Sequence, residues 1–315
     1  MTTLGLMMPV NDINDDDPTI GGIIAKYKQS NMFRALAHNS KRSYLSHLDH
    51  ALVMQVGNSK RLLKDTRYED FKRKDAKQLH MDISDLVSSH KARHTMTIFR
   101  VAWENAVDSE LVEFNPFSKM KLKAAPYRHV LWTQDQIDGV INYCDANNRT
   151  SIGTLTMMCF VLCQRIGDMR QLKWSNIVDG RANFKQQKTG TRMSLPLNDD
   201  IMERLQLHPA RNSSTVIVAN ETTGRPYTSD RIDKTFEKIR AGYGLPKVMC
   251  TNTDTETNLW INDLRTTGIT HAMRSGCTDR QLMALSGHKN PKMLERYAIH
   301  GDLEADVAMK KRGMQ

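Results

Sequence analysis

Cysteine is scarce in this 315-residue chain, which has five, at Cys144, Cys159, Cys163, Cys250 and Cys277, with no Cys-x-x-Cys pair among them. That scatter argues against a disulfide framework and a zinc site, and it suits a reducing compartment. Long apolar runs are lacking as well. No stretch reaches the roughly 18 apolar residues of a membrane span, and the start, MTTLGLMMPVNDINDDDPT, has no cationic segment leading into an apolar one. A soluble cytoplasmic protein is expected. The chain also lacks Gly-x4-Gly-Lys-Ser/Thr, His-Glu-x-x-His and Gly-x-Gly-x-x-Gly, so nucleotide hydrolysis and metalloprotease chemistry lose their usual support.

What the chain does have is positive charge, 45 Lys and Arg against 35 Asp and Glu, for a net +10. The excess is unevenly placed. Residues 1–21 hold four Asp and no Lys or Arg, whereas residues 22–130 hold 20 basic and 11 acidic residues. A basic first domain is what neutralising a nucleic-acid backbone requires. Apolar content of 39% is enough for packed cores, and the length favours two domains.

Residues 20–113 read as several helices. NSKRSYLSHLDHAL (39–52) follows an Asn/Ser cap with apolar residues at helical spacing, and KARHTMTIFRVAWENAVDSELV (91–112) repeats Phe99, Trp103 and Val107 every fourth position. Asn115-Pro116 stops the helix, and KMKLKAAPYRH (119–129) reads as a basic linker. A second series begins at Thr133 and continues through the apolar SIGTLTMMCFVLCQR (151–165). Residues 183–187 and 192–197, flanking Lys188-Thr189-Gly190-Thr191, predict a β-hairpin, and TVIVA (215–219) predicts a further strand. Helices are expected at 230–241, 262–275, 278–286 and 291–299. The expected fold class is mostly α with a small antiparallel sheet. The boundaries are an acidic mobile leader (1–21), a helical domain (22–118), a basic linker (119–130) and a second domain with a C-terminal tail (131–315).

Seven polar residues stand in suggestive contexts. Arg165 follows an apolar helix in LCQRIGDMRQLKW, with Asp168 three positions on; Lys188 sits at the hairpin tip; Asn262 and Arg265 lie in WINDLRTTG; His288 in LSGHKNP precedes Tyr297 in LERYAIH by nine positions. Singly, each has an ordinary reading as a solvated charge, a cap or a packed ring. Their joint order is another matter. It resembles the tyrosine recombinase, or phage integrase, family: an Arg-x-x-Glu/Asp box, a Lys before Thr-Gly in a hairpin, a His-x-x-Arg box, a Leu-Gly-His box, and a Tyr nine residues after that His. The resemblance covers roughly residues 20–310.

The resemblance implies a two-domain DNA clamp, a helical core-binding domain plus a catalytic domain, acting as a site-specific recombinase without metal, ATP or other cofactor. Tyr297 would attack a backbone phosphorus and hold the DNA as a 3′-phosphotyrosine. Arg165 and Arg265 would present planar forks to the non-bridging oxygens. Lys188 would protonate the departing 5′-oxygen, His288 would donate to the phosphate or hold the Tyr oxygen, and Asp168 would orient Arg165. Two positions depart from the pattern. Asn262 stands where the family has His, and an amide cannot carry a proton near neutral pH; Gln164 replaces the commoner Gly before Arg165. DNA contacts are expected from Lys41, Arg42, Lys91 and Arg93 at helix starts and from Lys119, Lys121 and Lys123 in the linker. Expected partners are a double-stranded recombination site, three further copies in a tetramer, which the tail 301–313 would help dock, and an accessory DNA-bending protein, but no membrane. With so short a stretch before the first helix, no extra arm-binding domain is expected. The setting would be the bacterial or phage-infected cytoplasm, at the nucleoid. The rival readings are a type IB topoisomerase and a DNA-binding protein of the same fold with impaired catalysis.

Overall fold

The apolar periodicities above become helices in a computed structural model that describes residues 18–55, 61–122, 127–297, 309, 312 and 313. The chain divides into two units, residues 1–126 and 127–315. Lys123 of the expected linker, most of the acidic leader and nearly all of the tail lie outside the described residues.

In the first unit, α1 (Ile20–Gln29), α2 (Asn31–Arg34), α3 (His38–Leu52), α4 (Arg73–Leu86) and α5 (Ser89–Asp108) surround an aromatic core. Helix α5 starts where Ser88 accepts the Lys91 N–H, and its spacing of Phe99 and Trp103 buries both rings completely. Phe71, Phe99, Trp103 and Phe117 pack with centroids 5.1–6.0 Å apart, each such pair adding about 0.5–1.5 kcal/mol beyond its buried area. Helix α5 ends at Asp108, ahead of the expected stop at Asn115-Pro116, where the chain is instead anchored back onto the helix. The Asn115 side chain donates to Arg100 O and Glu104 Oε2 and accepts the Phe117 N–H, folding the chain back onto α5.

The second unit contains α6 (Gln134–Ala146), α7 (Thr150–Val161), α8 (Ile166–Arg170), α9 (Asp199–Gln206), α10 (Ser229–Tyr243), α11 (Asp263–Arg274) and α12 (Asp279–Ser286). Capping boxes at Thr133–Gln136 and Thr278–Gln281 start α6 and α12. Helix α7 is apolar around nearly its whole circumference and forms the centre of this unit's core. Gly268 of α11 allows the close crossing with α7, since a Cβ there would collide with the Phe160 carbonyl. A three-stranded antiparallel sheet, β1 (Ile177–Val178), β2 (Arg181–Lys185) and β3 (Arg192–Pro196), pairs Lys185 with Arg192 at the hairpin end. A second hairpin, β4 (Val248–Cys250) and β5 (Thr255–Thr257), has no counterpart in the sequence reading.

Two expectations need correction. TVIVA forms no ladder, only bridges at Val216 and Ala219; its unbroken burial, Val216 to Ala219 all under 7% exposed, imitates a core strand. The expected helix 291–299 is instead two 3-10 turns, Pro291–Met293 and Glu295–Tyr297, with residues beyond 297 not described. The three-residue spacing of Leu294 and Tyr297, both buried, places them on one side of such a turn.

Candidate active site

Arg165 lies at the N-cap of α8, directly after the α7 corner where Cys163 adopts φ +52°. Arg265 lies in the first turn of α11 and is 7% exposed, so its charge is held by bonds. Its Nη1 donates to Cys163 O at 2.9 Å, and its Nη2 donates to Ser286 O at 3.0 Å and to His288 Nε2 at 3.1 Å. Three of its five N–H groups are thereby spent on orientation. The Tyr297 phenol is an electrostatic neighbour of the same guanidinium. The Tyr297 ring lies 5.7 Å from the His288 ring and is itself buried, packed with Cys163, Ile269, Leu282 and Leu294.

The histidine tautomer follows from Ser286. That hydroxyl has one proton, donated to Leu282 O at 2.6 Å, so its oxygen accepts the His288 Nδ1–H at 2.8 Å and leaves Nε2 as the acceptor for Arg265. Burial, then the charges of Arg265, Arg165 and Arg296, push His288 down to about 4. The ring is neutral at pH 7. In this arrangement it orients Arg265 and has no free N–H for a phosphate, unlike its expected role. Burial, followed by the neighbouring Arg165 charge, also lowers the Arg265 guanidinium from its usual value, with Tyr297 opposing the shift.

Gly287, which joins α12 to His288, has φ +75°, and a Cβ there would lie 2.6 Å from Gln186 Nε2. Glycine is therefore required twice over, by conformation and by space.

The remaining expected residues are placed differently. Lys188 is exposed in the turn between β2 and β3. Asn262 is the exposed N-cap of α11, without a side-chain capping bond. The Asp168 carboxylate makes no hydrogen bond to the Arg165 guanidinium, a correction to its expected role; its Oδ1 accepts the Gln187 N–H at 2.8 Å, and its buried Oδ2 has no partner. Asp168 thus ties the hairpin to α8. The contact to Arg165 comes instead from Gln186, whose Oε1 accepts from Nη1 at 3.4 Å. Among the described residues, no group of three or more His, Cys, Asp or Glu is arranged to hold a metal ion, and no helix is long and apolar enough to cross a membrane.

The profile of the phage integrase family matches residues 131–303, which include all of these side chains. The chain belongs to this family. Among curated relatives, the integrase of Escherichia phage HK022 is 29% identical over 147 residues, 44% of this chain and 39% of the relative. The chain thus aligns with about two fifths of that relative's length. Among solved structures, a lambda integrase dimer bound to a COC′ core site shares the fold, with a TM-score of 0.73 and 19% identity over 89% of this chain and 77% of the other. A lambda integrase tetramer bound to a Holliday junction gives a TM-score of 0.72 and 19% identity over 90% and 78%.

Further features of this integrase-family chain escaped the sequence reading. Arg128 pairs with Asp263 at the start of α11, through Nε to Oδ1 at 2.9 Å and Nη2 to Oδ2 at 2.8 Å, and it also reaches Thr257 Oγ1 and Asn258 O. Its position in a Lys/Arg-rich linker hid it. A cavity of about 300 Å³ on the α10 side is lined by Arg149, Arg231, Lys234 and Lys238 with Tyr143. The spacing 231, 234, 238 puts three cations on one helical face, a signal visible in the sequence. Of the expected DNA contacts, Arg42, Arg93, Lys119 and Lys121 are exposed, while Lys41 and Lys91 are half-buried.

Proposed function

We propose that the chain is a site-specific DNA recombinase, an integrase that cleaves and rejoins strands through a 3′-phosphotyrosine on Tyr297. The observation that carries this reading is the buried Tyr297 phenol, an electrostatic neighbour of the Arg265 guanidinium and flanked by His288. A phenol with an ordinary pKa near 10 becomes a useful nucleophile where fixed cations stabilise its anion. In the step, the Tyr297 proton passes to solvent, its oxygen bonds to phosphorus, the bond to the 5′-oxygen breaks, and Lys188 gives that oxygen a proton. Arg165 and the unspent N–H groups of Arg265 would carry the phosphorane's added charge. Bond energy is retained in the phosphotyrosine, so a strand hydroxyl reverses the step without ATP or metal.

Neutralisation of the DNA backbone is assigned to Lys41, Arg42, Lys91, Arg93, Lys119, Lys121 and Lys123, joined by the cations of the α10 cavity. A homotetramer on DNA is the proposed assembly, by likeness to the lambda integrase tetramer. The test uses duplexes enriched from random-sequence DNA on the Tyr297→Phe chain, then nicked at successive positions. The native chain should form a covalent adduct with one of them that Tyr297→Phe does not. Retention without adduct would leave a DNA-binding protein, and relaxation of arbitrary plasmid would favour a topoisomerase.

A further inference from the structure

The hairpin that carries Lys188 is anchored by a buried amide. Gln186, 1% exposed, immediately follows β2, two residues before Lys188. Its Nε2 donates to Gln164 Oε1 at 2.7 Å and to Ser286 O at 2.9 Å; its Oε1 accepts from Thr189 Oγ1 at 2.6 Å and from Arg165 Nη1 at 3.4 Å. Gln164, itself fully buried, donates to Leu162 O and Leu285 O. Every hydrogen of both amides is thus used. The orientation is unique, since a flipped Gln186 would set its oxygen against the Ser286 and Gln164 oxygens. Such a satisfied buried network holds one geometry, because each alternative strands a polar atom away from water.

Ser286 O is the carbonyl that also accepts Arg265 Nη2. One backbone oxygen therefore joins the hairpin base to the fork of α11. The hairpin is held further by the Gln187 N–H bond to Asp168, and Lys289 Nζ reaches Thr189 O at 3.4 Å. These bonds fix the base of the exposed turn that carries Lys188.

We infer that Gln186, backed by Gln164, is a positioning residue for Lys188: it registers the hairpin turn to the Arg265 fork, so that the ammonium meets the departing 5′-oxygen. The inference rests on the recombinase reading. The step it serves breaks the bond between phosphorus and the 5′-oxygen and moves one proton from Lys188 to that oxygen. Replacing the oxygen by sulfur removes the need for the proton, because a thiol is far more acidic than an alcohol and its anion leaves unaided.

The experiment compares single-turnover adduct formation by the full chain on the enriched duplex, with oxygen or sulfur at the mapped 5′-bridging position. A placed general acid contributes roughly 100- to 10,000-fold, and Gln186→Met, which keeps the volume and removes the bonds, should lose about tenfold or more on the oxygen substrate. On sulfur it should recover to near the native rate, as Lys188→Ala should, whereas Arg165→Ala should stay slow on both. Thr189→Val, which removes only the hydroxyl bonded to Oε1 from a half-buried turn residue, should show the same pattern more weakly and decides the matter if Gln186→Met does not fold. Equal loss on both substrates, or no loss on either, overturns the inference while a Tyr297-dependent adduct from the native chain upholds the reading. No such adduct from the native chain on either substrate sinks the reading, and this inference with it.

Discussion

The two units place their cations in opposite ways. In the first, Lys41, Arg42, Lys91, Arg93, Lys119 and Lys121 form no ion pair among the described residues, and four of the six are exposed. In the second, Arg265 is buried and held by two carbonyls and a histidine, and Arg165 is half-buried against an amide. Solvated charges on flexible stems suit a polyanion met at many points, where counterion release supplies the affinity. Charges with fixed directions suit a single phosphate whose geometry changes during reaction, because donors already aimed do not have to reorganise. On the proposed function, the difference would separate binding from chemistry within one chain, and each substitution below presses on one side of it.

The largest effect is expected from Tyr297→Phe, which should abolish adduct formation on the nicked duplex while filter retention of the same DNA stays at the native level. Next is Arg265→Ala. By the usual worth of a preorganised donor, adduct formation should slow by about 100- to 1,000-fold, and the Cys163 carbonyl left unpaired should also lower the melting temperature. If retention fell as steeply as cleavage, the contrast between the units would collapse. In the first unit, Arg93→Ala should do the reverse. It should reduce the slope of log affinity against log salt by about 1 with cleavage at saturating DNA unchanged; an unaltered slope would remove Arg93 from the backbone contacts.

The smallest effect concerns pH and stability. His288 and the buried His208 are both pushed down to about 4 from 6.5, chiefly by burial. Between those values the unfolded chain takes up protons that the folded chain refuses, so the stabilisation present above pH 6.5 drains away as pH falls toward 4. Urea midpoints should decline over that window, and His208→Gln should flatten part of the decline. His208 is the cleaner probe, since it packs edge-on against Trp174 and its cationic neighbour is Arg204, not Arg165 or Arg265.

Much of this organisation was legible in the residue order. Thr133 and Thr278 marked helix starts by their capping boxes, and the Lys188 turn fell between the two strands where the alternation changed. The stretch before Tyr297 misled, because apolar residues three apart suit a 3-10 turn as well as a helix and only the packing around Leu294 discriminates. The short β4 and β5 strands carry too few residues for any alternation to register.

The sequence by itself determined which chemical groups exist and in what order, since motif spacing and caps are local properties of the chain. Tertiary structure alone decided that Arg265 would bind a carbonyl 102 positions away, that Gln186 would meet one 100 positions away, and which nitrogen of His288 would carry the proton. Those choices come from burial. A polar group shut away from water must find whichever partner the packed elements bring to it, and no local preference specifies that partner in advance.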